Sequence, residues 1–249
     1  DEITQLYNQT KGNVANKTVE SSGLESGLVG HWTFDGPDML SNVADTSGQG
    51  NNGSLVGQTS TTTVEGKVGQ ALEFDGSDDY VDVGQDNFNS YDRGAITAWV
   101  KFDNFNSEQI VFTLDPDHSY RGFSVLVDQD SAISPGADRR LTVYSRGGSN
   151  NYKVYGDTVF DPGVWYHIAV ISTGTEYTFY VNGVSETLAG SLNDGYWFAD
   201  MNSTPWMYWI GYFNSAAFVS NTDGVLDDLR VYDRALSADE IERLYQLGR

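Results

Sequence analysis

From Gly27 onward the chain is a succession of short strand-like segments separated by turn signals, and this rhythm restricts it to an all-β fold. The segments are Leu28–Phe34, Ala71–Phe74, Tyr80–Val83, Ala95–Phe102, Gln109–Leu114, Gly122–Asp128, Arg140–Ser145, Tyr152–Tyr155, Trp165–Ser172, Tyr177–Val181, Trp206–Tyr212 and Val225–Tyr232. They are rich in β-branched and aromatic residues, which fit a pleated, half-buried surface. Turn clusters such as Ser47–Gly53 and Asn182–Gly183 stand between them. No strand-then-helix alternation occurs, which argues against a parallel α/β sheet. The expected architecture is an antiparallel sandwich of two sheets. With 249 residues the chain suits one large domain of this kind or two small ones.

One helix is signalled, at the C-terminal end. Ser237 and Glu240 form a capping box, Ile241, Leu244 and Tyr245 make an apolar stripe, and Gly248 stops the helix. The pattern Asp239-Glu240-Ile241-x-x-Leu244-Tyr245 also repeats the chain's opening, Asp1-Glu2-Ile3-x-x-Leu6-Tyr7. The expectation is that residues 1–7 are the closing helix of a preceding similar domain in a tandem array. Residues 1–27 are otherwise polar and read as a linker, with the folded domain over 28–249.

Composition narrows the function. There are 35 acidic and 14 basic residues, a net charge of −21, so counterion-release binding to nucleic acid has no basic cluster to work with. Adsorption to an anionic membrane is disfavoured for the same reason, and no apolar run is long enough for direct membrane insertion. Cysteine is absent, which removes disulfides, zinc ribbons and a thiol nucleophile. The start at Asp1 without a signal peptide reads as a mature or excised fragment.

Several segments resemble the laminin-G-like, concanavalin A-type jelly-roll family. They are Gly27–Asp35, Asp45–Leu55, Gly69–Val81, Ala95–Val100, Trp165–Ala169, Tyr180–Gly183 and Gly224–Ser237, in consistent order. The resemblance implies a jelly roll closed by a short C-terminal helix, in an extracellular or cell-surface protein of bacterial type. It also implies a structural calcium between the first strand and loop and the last strand. Carried over, the metal ligands are Asp35, Asp45, Asp227 and an oxygen from Asn51 or Asn52, a hard-oxygen set of the kind calcium takes. The alternation of Val225–Tyr232 puts Asp227 on the face of Leu229 and Val231, where a carboxylate needs a cation or a hydrogen-bond network. The plainer alternative is that Asp45 and Asn51 cap a turn and backbone donors satisfy Asp227. Asp78-Asp79 and the Asp115–His118 loop are weaker ion-loop candidates, and His167 reads as a packed strand residue.

Catalysis is not expected. Glycan-cleaving relatives of this sandwich carry paired carboxylates on one strand as Glu-x-Asp-x-x-Glu, which this sequence lacks. Binding residues are sought among the aromatics, because sugar C–H faces stack on rings while polar side chains bond the hydroxyls. Trp197, Trp209 and Tyr212 in the dense aromatic segment form one candidate platform. Arg121, Tyr144, Arg146, Tyr152 and Tyr155 form a second surface, whose arginines suit an acidic glycan. Two readings follow: a non-catalytic lectin-like module binding a polysaccharide or cell-surface glycan, or a structural and adhesive repeat contacting neighbouring domains of its own chain.

Overall fold

The computed structural model describes residues 23–36, 39, 42–57, 63–85, 87–115, 122–129, 138–147, 150–191, 193–201, 207–214 and 219–249; for 146–147 and 150–151 it describes the backbone only. Two large antiparallel sheets face each other across one aromatic-rich core. The first sheet runs Val184–Ser185, Tyr177–Val181, Tyr166–Ser172, Gly94–Phe102, Asp223–Tyr232, Gln70–Asp75 and Thr63–Glu65, with Leu28–Trp32 also paired to Asp223–Tyr232. The second runs Ala189–Gly190, Asn150–Tyr155, Leu141–Gly147, Phe123–Val127, Gln109–Asp115, Met207–Ile210, Tyr80–Gln85, Gly53–Val56 and Asn42–Val43. This is the expected jelly-roll sandwich. Trp32, Phe74, Phe88, Phe112, Phe123, Trp197 and Tyr208 fill the space between the sheets. Rings of this size dominate the apolar area removed from water.

Asp223–Tyr232 is shared by three partners. Its first half pairs with Gln70–Asp75, its second half with Leu28–Trp32, and its other edge with Gly94–Phe102. The switch happens at a bulge: Asp228 has φ 47, and the register to Gly94–Phe102 slips between Asp227 and Arg230. A bulge inserts one residue and reverses the alternation beyond it. Leu226, Leu229 and Val231 therefore enter the core, whereas Asp227 pairs with Trp99 on the outer face. The expectation that Asp227 shares the face of Leu229 and Val231 fails here, because a strict two-residue period does not anticipate the extra residue.

The segment expected as one strand over Trp206–Tyr212 is likewise divided. Gly211, at φ 82, turns the chain out of Met207–Ile210, and the Cβ of any other residue there would run into the Phe74 ring. Tyr212–Asn214 and Val219–Asn221 then form a separate two-stranded ribbon.

The C-terminal helix, Ala238–Leu247, begins with the expected capping box: the Ser237 hydroxyl accepts from Glu240 N–H, and the Glu240 carboxylate accepts from Ser237 N–H. Ile241 and Leu244 pack with Leu24, Leu28, Ala95, Ala169, Ile171 and Tyr232 in a second apolar cluster. Leu24 is fully buried there, so the folded body starts before the expected boundary at residue 28. Residues 1–7 lie outside the described residues. Arg234 clamps both ends, donating to Glu240 and to the carbonyls of Ser26 and Gly23. The Arg234 hydrogen bond holds the Glu240 carboxyl down at about 2. A depressed carboxyl contributes stability above its unfolded pKa that is lost as pH falls through the folded value. Glu240→Gln should therefore lower stability by about 1–2 kcal/mol near neutral pH. The difference from the parent should shrink between roughly pH 4 and pH 2, as read by urea unfolding at stepped pH.

Candidate ligand-binding face

The outer face of the nine-stranded sheet carries a continuous transverse row of side chains. Register pairs link Ser54 to Asp82, Asp82 to Trp209, Trp209 to Thr113, Thr113 to Ser124, Ser124 to Tyr144 and Tyr144 to Lys153. Directly opposed residues share a face in an antiparallel pair, so the row lies on one surface. Small hydroxyl residues stand in its middle, with Thr113 Oγ1 donating to Ser124 Oγ at 3.2 Å, and aromatic residues flank them. Beside the row, Ile110, Leu126 and Phe213 form an apolar patch against which Tyr144 packs.

Part of the row is roofed. Phe213, from the Tyr212–Asn214 and Val219–Asn221 ribbon, covers Ile110 and Leu126, and the Thr222 hydroxyl ties the ribbon's base to the Ile110 carbonyl at 2.6 Å. Trp209 is 4% exposed, with its ring edge-on to Tyr80 and Tyr212. It faces away from the main core, but cannot present a free ring to a sugar. Trp197 fails as a platform outright: it is 0% exposed, stacked on Phe198 and edge-on to Phe123 in the core. A short 3-10 turn, Phe198–Asp200, follows it and drives both rings inward. Tyr212 remains half-exposed and stacks on Tyr80 at 4.5 Å between centroids.

The second expected surface is partly assembled. Tyr144 is half-buried on the outer face, beside Lys153. Tyr152 pairs with Ser145, and so belongs to the opposite face from Tyr144. Tyr155 pairs with Thr142 and joins Tyr144. Arg146 follows Tyr144 by two residues in the same strand, and only its backbone is described; Arg121 lies outside the described residues. The charged groups at this end were not foreseen. Lys153 forms an ion pair with Asp128, which is 1% exposed. Glu108 stands nearby with its carboxyl pushed up to about 7 by burial and by the Asp128 charge, against the pull of Lys153.

Among the described residues, the expected calcium ligands Asp35, Asp45 and Asp227 do not come within 4.8 Å of one another as a group. Asp45 already accepts from His31 N–H, Ser47 N–H and Oγ, and Asn51 N–H. Burial would raise its pKa, but these hydrogen bonds outweigh that and hold the carboxyl below its ordinary value. Asn51 donates its amide to Val29 O and its carbonyl accepts from Trp32 Nε1, while Asn52 Oδ1 accepts from Asp45 N–H. These residues cap and brace a turn. Asp35 is exposed and accepts from Gln70 N–H. Asp227 Oδ2 accepts from Lys67 N–H and Val68 N–H, and burial raises its carboxyl to about 7. Among the described residues, three carboxylates come within 4.8 Å of one another only at Asp75, Asp78 and Asp79, a largely exposed acidic turn.

Asp228 holds the covered side of the first sheet together. Its carboxylate accepts from Arg230 and hydrogen-bonds His31 Nε2 at 2.6 Å. Burial raises its pKa, but the His31 and Arg230 contacts prevail and the net shift is downward. His167 is buried between Trp99 and Tyr245, and desolvation pulls it down to about 4, as suits a packed neutral residue.

The sequence matches the family model of the concanavalin A-like lectin/glucanases superfamily over residues 75–242. No curated protein matches it. Among solved structures, domain 4 of AbnA, an extracellular GH43 arabinanase from Geobacillus stearothermophilus in complex with arabinotriose, is similar at 18% identity and TM-score 0.67. The alignment covers 90% of this chain and 99% of that one. The CBM40 of the Ruminococcus gnavus IT-sialidase, bound to α2,3-sialyllactose, is similar at 15% identity and TM-score 0.52, covering 63% of this chain and 84% of that one. The binding domain of Paraclostridial Mosquitocidal Protein 1 is similar at 15% identity and TM-score 0.62, covering 89% of this chain and 52% of that one.

Two predictions follow from this geometry. Asp228→Ala should cost about 3–5 kcal/mol, because it strands the buried Arg230, measured by equilibrium denaturation. Chelation should leave the melting temperature of the parent protein unchanged, since the Asp45 turn is closed by its own donors; a calcium-dependent rise would direct attention to Asp75, Asp78 and Asp79 instead. The chain belongs to the concanavalin A-like lectin/glucanases superfamily, in its laminin-G-like branch.

Proposed function

We propose that this protein is a non-catalytic glycan-binding module of an extracellular protein, with its ligand on the outer face of the nine-stranded sheet. The observation that carries the reading is the juxtaposition at Tyr144: a half-buried ring on the outer face, the half-buried Tyr155 on the same side, and the Lys153–Asp128 pair. A pyranose or furanose presents an apolar C–H face and a rim of hydroxyls, which such a surface receives by stacking and charge-assisted hydrogen bonds. On the opposite face the C-terminal helix packs over Ala95, Ala169, Ile171 and Tyr232.

The similar carbohydrate-binding domains support the class of ligand. At 18% identity or less they supply the fold, and the identity of the sugar is a separate question. The non-catalytic part rests on the missing paired-carboxylate motif and on the side chains of this face, where Asp128 is already engaged by Lys153.

The test is binding to a panel of soluble oligosaccharides and insoluble polysaccharides by calorimetry and pull-down, with Tyr144→Ala as the diagnostic variant. We expect at least one oligosaccharide to bind, and Tyr144→Ala to weaken it roughly tenfold or more, by about 1–3 kcal/mol, with folding retained. Absence of binding across the panel would favour a structural or adhesive repeat, the role that the matching Asp1–Tyr7 and Asp239–Tyr245 patterns suggest. Retained affinity in Tyr144→Ala would move the site elsewhere.

A further inference from the structure

The C-terminal helix packs on the Ala95, Ala169 and Ile171 end of the eight-stranded sheet and stops at Trp99, where a Cβ on Gly248 would fall 2.4 Å from the indole nitrogen. Beyond that point the same outer face carries Lys101, Trp165 and Val225. Lys101 opposes Val225, and the Val100–Tyr166 pair sets Trp165 beside Lys101. Three cations lie over rings here. Lys67 Nζ is 4.8 Å from the centre of the Trp99 ring and Lys101 Nζ 5.3 Å from that of Trp165. The Arg249 guanidinium stands 6.0 Å from the centre of the Tyr245 ring, which packs 5.6 Å from Trp99. Among the described residues none of these three forms an ion pair, whereas Arg93, Lys153, Arg230 and Arg234 each engage a carboxylate. The acids of this face are Glu73, across Val225 from Lys101, and the fully buried Asp227, whose Oδ2 accepts from the Lys67 and Val68 N–H groups. Glu242, on the helix, accepts from Gln246.

We propose that the strip formed by Lys67, Lys101 and Trp165 is a second ligand site, independent of the Tyr144 face, and that it takes a short oligosaccharide bearing uronic acids. An aromatic ring holds an ammonium through its quadrupole and does not neutralise it, so each lysine is positioned and keeps its full charge. A sugar carboxylate then receives charge-assisted hydrogen bonds from the two ammonium groups. The half-buried Trp165 and the neighbouring Val164, 43% exposed, offer apolar surface to the sugar's C–H groups. The overall charge decides the size of the ligand. With 35 acidic residues against 14 basic ones, a long polyanion would run off this strip onto a surface of its own sign. Screening confines such repulsion to about 8–10 Å at physiological salt, so a short uronate chain meets the lysines and escapes most of the remaining field.

The experiment compares, on the intact chain at neutral pH, a galacturonic acid trimer and its fully methyl-esterified counterpart, which keeps the skeleton and loses the charge. The acid trimer should bind roughly tenfold tighter or more, and high salt should remove most of the difference. Lys67→Gln combined with Lys101→Gln should bring the two trimers to similar affinity with the melting temperature retained. Lys101→Gln alone, at the exposed end of the strip, gives the same readout should the double variant lose stability. Any oligosaccharide that binds at Tyr144 should keep its affinity in these lysine variants, which separates the two sites. Equal binding of acid and ester, or no binding of either at millimolar concentration, overturns the proposal. So does a preference that survives the lysine substitutions or that Tyr144→Ala removes instead. A polyglutamate peptide bound more tightly than the acid trimer, with the same dependence on the lysines, would assign the strip to an acidic protein and overturn the sugar. An empty result at the Tyr144 face would reject that reading and leave this one standing.

Discussion

The bulge at Asp227–Asp228 is the constraint on which the rest of this sandwich depends. It lets a single strand, Asp223–Tyr232, pair with Gln70–Asp75 at one end and Leu28–Trp32 at the other while keeping Gly94–Phe102 along its second edge. A non-glycine residue at φ 47 is unfavourable by itself. Here the Asp228 carboxylate is locked by Arg230 and His31, so the strained backbone and the buried charge network support each other. Next to it, Asp227 anchors the Lys67–Val68 turn through backbone donors. Each acid is thus used by a different element.

Much of the fold was legible because the pattern of short apolar segments is repeated so many times that local errors do not accumulate. The C-terminal helix was legible for a sharper reason: Ser237, Glu240 and Gly248 each have a specific local role that no tertiary contact has to supply. What sequence periodicity could not reveal was phase. The bulge at Asp228 reversed the assignment of Asp227, and the turn at Gly211 separated Tyr212 from the strand that carries Trp209. Short edge strands such as Asn42–Val43 and Ala189–Gly190 have too few residues to show any period.

The site was less legible than the fold. An aromatic residue looks the same in sequence whether it closes a core or greets a ligand, and Trp197 and Trp209 proved to be covered by Phe198 and by the Tyr80–Tyr212 pair respectively. Aspartates in a glycine-rich loop look like metal ligands, yet Asp45 spends its oxygens on its own turn. Tyr144 was found from its position beside basic residues, and the structure keeps it on the outer face. Glu108 and Asp128 had no signal, because their meeting depends on the register between the Gln109–Asp115 and Phe123–Val127 strands.

Leu24 and the Ala238–Leu247 helix pack in the same apolar cluster on the outside of the eight-stranded sheet. Two segments more than two hundred residues apart are thus sealed into one seam. Loosening the helix would therefore loosen Leu24 with it, and the nine-stranded sheet on the other side would be the last to notice.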